Sequence, residues 1–459
     1  MKKFLLLHKI PLLFFLSCCA FYLAFAYDLE RTDFFKLLTL YGGLFFLSWK
    51  FFQMQRTNLK ILFAAALVFR LLFLFATPNL SQDFFRFIWD GRLLLEGINP
   101  YLMTPDQFFS SGSLPIAGAR ELFEGMGNLS AGNPTNYPPL NQVFFALAAL
   151  LGGKSILGSV IWLRIFIIAA DIGILYFGRK LLKQLNLPES NIFLYLLNPL
   201  IIIELTGNLH FEGVMLFFMV AGLYLLQRQK WLFSALLFSC SIAVKLITLM
   251  FLPLLIRRLG WKKAFGYFAV TGTLVLLFFL PFLSGSFAEN FFSSINLWFQ
   301  KFEFNASIYY LIRWIGFQAE GYNIIGYAGP ALAGLIFISV LILATLKRNS
   351  EIKGLLINMM FAIVIYLLLA TTVHPWYLAT PLLLSVFTRY KFVQVWSPMV
   401  VVSYFAYSQL NYEENLWVIA IEYLIVLGVL AYEIFSQDEK SFHRGRKGGS
   451  ENFTRRKIS

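Results

Sequence analysis

Charge is scarce in this chain: only 14% of its 459 residues are Asp, Glu, Lys or Arg, against about 25% in ordinary soluble domains. With 59% hydrophobic and 18% aromatic residues, a soluble globular fold is excluded and an all-α polytopic membrane protein remains. Cysteine is rarer still. Cys18, Cys19 and Cys240 all fall within apolar segments, with no metal-ligand spacing and no disulfide framework, and read as packing residues. No internal repeat of the kind that builds many secondary transporters is visible. The first apolar stretch, Ile10 to Tyr27, has a basic start but no small-residue cleavage site, so it reads as a retained span.

The charge that is present has a pattern. The net charge is +14, and the basic residues cluster between apolar runs, at Lys2-Lys3, Lys50 to Lys60, Arg257 to Lys263, Lys347-Arg348 and the C-terminal tail. That is positive-inside patterning, and it argues for membrane lipids and against nucleic acid as the partner. A crossing needs roughly 20 apolar residues. The spans then fall near 10–28, 34–52, 60–77, 155–178, 191–207, 210–228, 264–283, 323–346, 354–372, 376–391, 392–410 and 416–436. An even number of crossings puts both basic termini in the cytoplasm and the loop 78–139 on the outer face. Residues 1–436 form one transmembrane domain in this reading, followed by a basic, disordered cytoplasmic tail, 437–459. Two segments fit poorly. Residues 140–153 are short for a span and read as re-entrant or interfacial. Residues 231–256 are basic at both ends, carry Lys245 in the middle and read as a broken hairpin. Irregular backbone at membrane depth is tolerated where it lines a cavity, so a cavity is expected beside these two segments.

The most informative polar stretch is Ser81 to Arg92, just after the third apolar segment. As a juxtamembrane helix it puts Asp83, Arg86 and Asp90 on one face, at spacings of three and seven. Phe84, Phe85, Ile88 and Trp89 would form a greasy flank able to lie on a bilayer surface. Ser81 is the expected N-cap, Asp83 suits the first turn, and Gly97 with Pro100 supplies the stop. A merely solvated interfacial helix is the bland alternative.

The topology gathers further polar groups on the same face: Arg92, Asn136-Tyr137-Pro138-Pro139, then Asn208, His210 and Glu212, and finally His374 with Trp376 and Tyr377. An aromatic interfacial belt is the alternative for the last group. Within the spans, Arg70, Arg164, Asp171 and Lys245 are costly unless paired or facing a wet cavity. Arg164 and Asp171, seven apart, are expected to be structural. Lys245 either snorkels to the cytoplasm or reaches an anionic lipid group.

Such groups suit transfer of a sugar from a lipid phosphate to a hydroxyl. One carboxylate takes the acceptor proton and cations neutralise the departing phosphate, which needs no acid to leave. Asp83 fits the base, and Arg86, Lys245 and His374 fit phosphate partners. Asp90, Arg92, Tyr137, His210, Glu212, Trp376 and Tyr377 are then candidates for sugar and acceptor contacts. No dedicated cage of metal ligands is seen, so neither a metal nor another cofactor is expected.

Several separated motifs resemble the GT-C superfamily of integral-membrane glycosyltransferases, in its bacterial polyprenol-phosphate-mannose-dependent mannosyltransferase form. Asp83-Phe84-Phe85-Arg86-Phe87-Ile88-Trp89-Asp90-Gly91-Arg92 with Asn99-Pro100-Tyr101 is similar to the first outer-loop pattern of that group. Tyr137-Pro138-Pro139-Leu140, Asn198-Pro199, His210-Phe211-Glu212 and His374-Pro375-Trp376-Tyr377 resemble its later elements. The resemblance runs from about residue 80 to about 390. It implies a GT-C-like bundle of about twelve spans in a bacterial inner or plasma membrane, with re-entrant pieces and Asp83 as catalytic aspartate. It also implies inverting transfer of a hexose, mannose by likeness, on the outer face. The donor would be a polyprenyl-phosphate sugar and the acceptor a glycan or glycolipid. Two departures bear on acceptor contacts: Phe87 stands for a common tyrosine, and Phe211-Glu212 for Asn-Asp. The competing reading is a transporter or flippase of a lipid-linked glycan, which would use the midplane charges Arg164, Asp171 and Lys245 rather than Asp83. A third is a membrane assembly protein without turnover.

Overall fold

The computed structural model describes the backbone of residues 2–300, 302–409 and 411–455, and the side chains of 9–297, 302–409 and 411–436. The side chains of the expected basic tail, 437–459, lie outside the described residues. The described residues form helices and the turns that join them. Among the described residues the single β feature is an isolated parallel bridge between Phe304 and Thr372. Among the described residues six helices are long and apolar enough to cross a membrane: Lys9–Asp28, Ile156–Gln184, Trp261–Phe282, Ile325–Thr345, Ile352–Leu369 and Leu416–Ser436. Their lengths and composition make this an integral membrane protein.

Fewer spans therefore meet the required length and apolar composition than the twelve expected; local breaks account for four of the six that do not, while Phe34–Gln55 is an unbroken helix of 22 residues and Glu212–Gln227 an unbroken one of 16. The 60–77 segment is helical only over Leu59–Leu71, capped at its start by the Asn58 side chain. The 191–207 segment is a bent pair, Glu189–Leu196 and Pro199–Gly207, at 55°. Pro199 cannot continue the preceding helix, and Asn198 turns its side chain back to accept from the Leu200 N–H at 3.0 Å. Residues 375–408 divide into Pro375–Leu378, Ala379–Ser385, Phe392–Met399 and Val400–Ser408. The two segments that fitted poorly are short as well. Pro139–Gly152 is a 14-residue helix, and Trp231–Val244 ends where Lys245 adopts an extended conformation, φ −147° and ψ 127°.

The 78–139 loop is itself folded into three helices, Asp83–Leu95, Pro105–Ser110 and Ala119–Ala131. Asp83–Leu95 ends in a Schellman turn. Gly97 is left-handed at φ +72°, its N–H bonds to the Leu94 carbonyl at 3.1 Å, and the Ile98 N–H reaches Leu93 at 2.9 Å. The stop signal read at Gly97 is thus explained. At the start, Gln82 occupies the cap position without capping a helix N–H; its side-chain amide donates to the Met126 carbonyl at 3.0 Å. Ser81 instead accepts from the Asp83 N–H at 3.3 Å. The aromatic flank is not turned to lipid: Phe84, Ile88 and Trp89 are buried inside the protein. The helix packs so tightly on Pro139–Gly152 that a Cβ at Gly91 would lie 2.3 Å from the Phe145 carbonyl oxygen. Phe85 alone of that flank is half-buried.

The buried intramembrane charges hold the bundle together. Arg70 pairs with Asp171 at 2.7 Å and donates to the Leu196 carbonyl at 2.7 Å. Arg164 donates to the carbonyls of Thr206 and Gly207 at 2.8 and 2.9 Å. Those carbonyls belong to a π-helical turn, Ile202–Gly207. Arg164 and Asp171 therefore have separate partners, in keeping with the structural roles expected of them.

Candidate active site

A cavity of about 790 Å³ opens where the Asp83 helix, the 208–212 turn, the Lys245 break and the 374–377 turn meet. Asp83, Arg86, Tyr137, His210, Glu212, Lys245, His374, Trp376 and Tyr377 all line it. Asp90 and Arg92, from the same group of candidates, do not. Asp90 is fully buried, accepting from Arg86 Nε at 2.8 Å and Gln142 Nε2 at 2.9 Å. Arg92 points at backbone, donating to the carbonyls of Ala117 and Lys154. Both brace the helix that carries Asp83. Arg86 is also largely committed, since its Nη1 donates to the carbonyls of Ser130 and Asn133.

Local backbone aims His210 at Asp83. The π-helical turn widens the chain just before the turn at 208. There Asn208 accepts from the Leu80 N–H at 3.0 Å and donates to the Ile203 carbonyl at 3.1 Å, tying the turn to the approach of the Asp83 helix. Leu209 is held left-handed, φ 64°, a costly conformation for a leucine that persists because its surroundings impose it. His210 is buried, and its Nδ1 lies 2.9 Å from the Glu204 backbone carbonyl. A carbonyl can only accept, so Nδ1 carries the proton and Nε2 presents a lone pair. Burial and the Lys245 charge push the His210 pKa well down, so the ring is neutral. Nε2 has no protein partner and lies 3.9 Å from Asp83 Oδ2. Two acceptors thus face each other with no donor between them, a gap that suits a hydroxyl proton.

Asp83 is enclosed by the cavity, with 37% of its side chain accessible. Enclosure raises its pKa above the usual carboxylate range; Lys245 pulls it down and Glu212 pushes it up. Lys245 is engaged in an ion pair with Glu212 where the Trp231–Val244 helix ends. This settles its direction, toward the cavity and not to the far surface. His374 lines the same cavity, where burial, aided by the Lys245 charge, drives its pKa down to about 3.

Trp376 does not sit in a lipid-facing belt. Its ring is stacked between His210, centroids 3.7 Å apart, and His374, at 4.4 Å. Phe304 extends the column beyond His374 at 5.0 Å. The Phe304–Thr372 bridge fixes that contact, with Phe304 N–H to Thr371 at 3.1 Å and Val373 N–H to Phe304 at 2.8 Å. A wall of flat rings with polar edges suits the faces and hydroxyls of a sugar.

Some of the site escaped the sequence reading. Glu204 is buried, accepts from the hydroxyls of Tyr41 at 2.7 Å and Tyr404 at 2.8 Å, and supports His210 through its own carbonyl. Its signal was available, as an acid in an apolar run six residues before His210. Arg31, in the short turn between the first two helices, also lines the cavity; among charged residues in a brief loop it carried no distinguishing signal. Among the described residues no group of three or more His, Cys, Asp or Glu side chains is placed to hold a metal ion.

Fold and cavity together define a helical integral-membrane protein with a chamber of small-ligand size in which charged side chains are set among apolar and aromatic ones. Residues 22–259 match the family model described as alpha-(1->6)-mannopyranosyltransferase, N-terminal domain, and the chain belongs to this MptA/B family. Over 334 residues it is 21% identical to alpha-(1->6)-mannopyranosyltransferase A of Mycobacterium tuberculosis, covering 67% of this chain and 61% of that protein. Over 187 residues it is 27% identical to alpha-(1->6)-mannopyranosyltransferase B of Corynebacterium glutamicum, covering 37% of this chain and 29% of that one. The matched segments thus span less than two thirds of either relative.

Proposed function

We propose that this protein transfers mannose from a polyprenyl-phosphate-linked donor to a hydroxyl of a glycan or glycolipid, on the outer face of the membrane. The observation that carries the reading is the facing pair of acceptors, Asp83 Oδ2 and His210 Nε2, 3.9 Å apart in the cavity. An acceptor hydroxyl placed there gives its proton to Asp83. Its oxygen attacks the anomeric carbon from the side opposite the phosphate, which leaves with the bonding electrons. One displacement inverts the anomeric configuration and needs one base. The donor's sugar lies along the ring wall of Trp376 and His374. Tyr137, Tyr377 and Glu212 offer hydrogen bonds around it, and Asp90 and Arg92 act by bracing the Asp83 helix.

Mannose follows from the names of the relatives, and the lipid carrier from the cavity's position among apolar helices. The outer-face orientation rests on the positive-inside pattern and the count of about twelve crossings on the apolar runs, with the broken segments serving as partial crossings around the cavity. The transporter reading finds no support: Arg164 and Asp171 are spent on structural bonds and Lys245 on Glu212. The test is donor competition in membranes containing the full chain. Labelled polyprenyl-phosphate mannose yields labelled glycan or glycolipid, and labelled GDP-mannose yields none when synthesis of the lipid donor is blocked. Product from GDP-mannose under that block overturns the donor assignment.

A further inference from the structure

Charge pairing within the cavity singles out one residue that neither the motifs nor the family match assign. Three cations line the chamber: Arg31, Arg86 and Lys245. Arg86 has Asp90 as its counter-ion, and two carbonyls occupy its Nη1. Lys245 has Glu212. On the acidic side, Glu303 is paired with Arg313, and Glu414 accepts from the Asn305 N–H and the Tyr310 hydroxyl. Arg31 has no carboxylate partner among the described residues. Its Nη1 donates to the Leu80 carbonyl at 3.2 Å, three residues before Asp83, and its guanidinium lies 4.3 Å above the Tyr407 ring. The ring contact and the single carbonyl bond leave further guanidinium N–H groups of Arg31 without a protein acceptor among the described residues.

We infer that Arg31 binds the phosphate of the sugar donor and stabilises it as it departs. The inference rests on the lipid-phosphate reading above. A guanidinium held by a ring face and one carbonyl keeps the planar fork that matches a phosphate in two-point contact. Lys245 would have to surrender Glu212 to do the same. In the displacement, the acceptor oxygen–carbon bond forms as the carbon–phosphate oxygen bond breaks. The electron pair leaves on the phosphate oxygen, the proton goes to Asp83, and Arg31 keeps its own protons throughout. A purely mechanical role, tethering the Leu80 turn, is the competing explanation.

The two roles separate on a ratio. The full-length protein, purified in detergent, is titrated with farnesyl phosphate and with farnesol, and binding is read by thermal shift. The native chain prefers the phosphate at least tenfold. R31Q loses that preference at least tenfold while still binding farnesol. R31K, which has the charge but not the fork, falls between. If R31Q does not fold, R31K decides, and a native ratio in R31K overturns the inference. Equal weakening of both ligands in R31Q makes Arg31 a tether and also overturns it. Inorganic phosphate or phosphatidylglycerol micelles protecting as well as farnesyl phosphate would reject the donor as the source of the anion. A native protein with no preference for phosphate over alcohol would defeat the lipid-phosphate reading itself, whatever Arg31 does.

Discussion

Replacing Gly91 with alanine disturbs the site from a distance. The added Cβ would lie 2.3 Å from the Phe145 carbonyl oxygen and 2.5 Å from its carbon. Ordinary contact begins near 3.4 Å, so the helices must part by about 1 Å. The obstacle is backbone, which no rotamer change relieves. Overpacking of this kind costs about 1–3 kcal/mol, partly offset by the roughly 1 kcal/mol that alanine gains over glycine in a helix. Asp83 rides on the same helix. Misplacing a reacting group by about 1 Å lowers rates on the order of a hundredfold. G91A should therefore fold with modestly reduced stability and transfer mannose about a hundredfold more slowly. Transfer from labelled polyprenyl-phosphate mannose gives the rate, and thermal unfolding in detergent gives the stability. Gly42 is the control: it is helical, and a Cβ there would meet nothing within 4 Å, so G42A should keep native turnover. Native turnover in G91A would refute the packing argument.

Three further outcomes follow from the same geometry. D171A leaves the Arg70 guanidinium buried without its carboxylate and should cost about 3–5 kcal/mol, whereas the double variant R70L/D171L should melt closer to the native protein. The rate depends on ionised Asp83, whose pKa is raised above 3.8, so the acid limb of the pH–rate profile should lie above that value. K245M removes the charge that lowers this pKa and should move the limb to higher pH, while E212Q should move it lower. His374, held near 3, stays neutral from pH 5 to 9, so H374Q should change the rate without removing a limb in that range.

Particular residues show which parts of this protein were legible in its sequence. The Asp83–Leu95 helix was legible because its stop is local, fixed by Gly97. The lipid-facing role given to Phe84, Ile88 and Trp89 was wrong because periodicity reveals an apolar stripe but not what covers it; here protein does. Asp90 sits in the same motif as Asp83, yet one lines the cavity and the other braces it, since Gln142, fifty-two residues away, claims Asp90. The helix break at Lys245 was foreshadowed by a charge in an apolar run, but its Glu212 partner was not. The crossings at 376–391 and 392–410 looked continuous by hydropathy, which does not register the short turns that divide them. Arg31 and the His210–Trp376–His374 stack depend wholly on tertiary placement.

Asp83 as the base is the claim on which the mechanism depends, and D83N tests it most directly. The substitution keeps the shape of the side chain and removes its capacity to accept a proton. With native expression and unfolding temperature, D83N should give no labelled product from polyprenyl-phosphate mannose while the native chain does; native turnover in D83N would contradict that role.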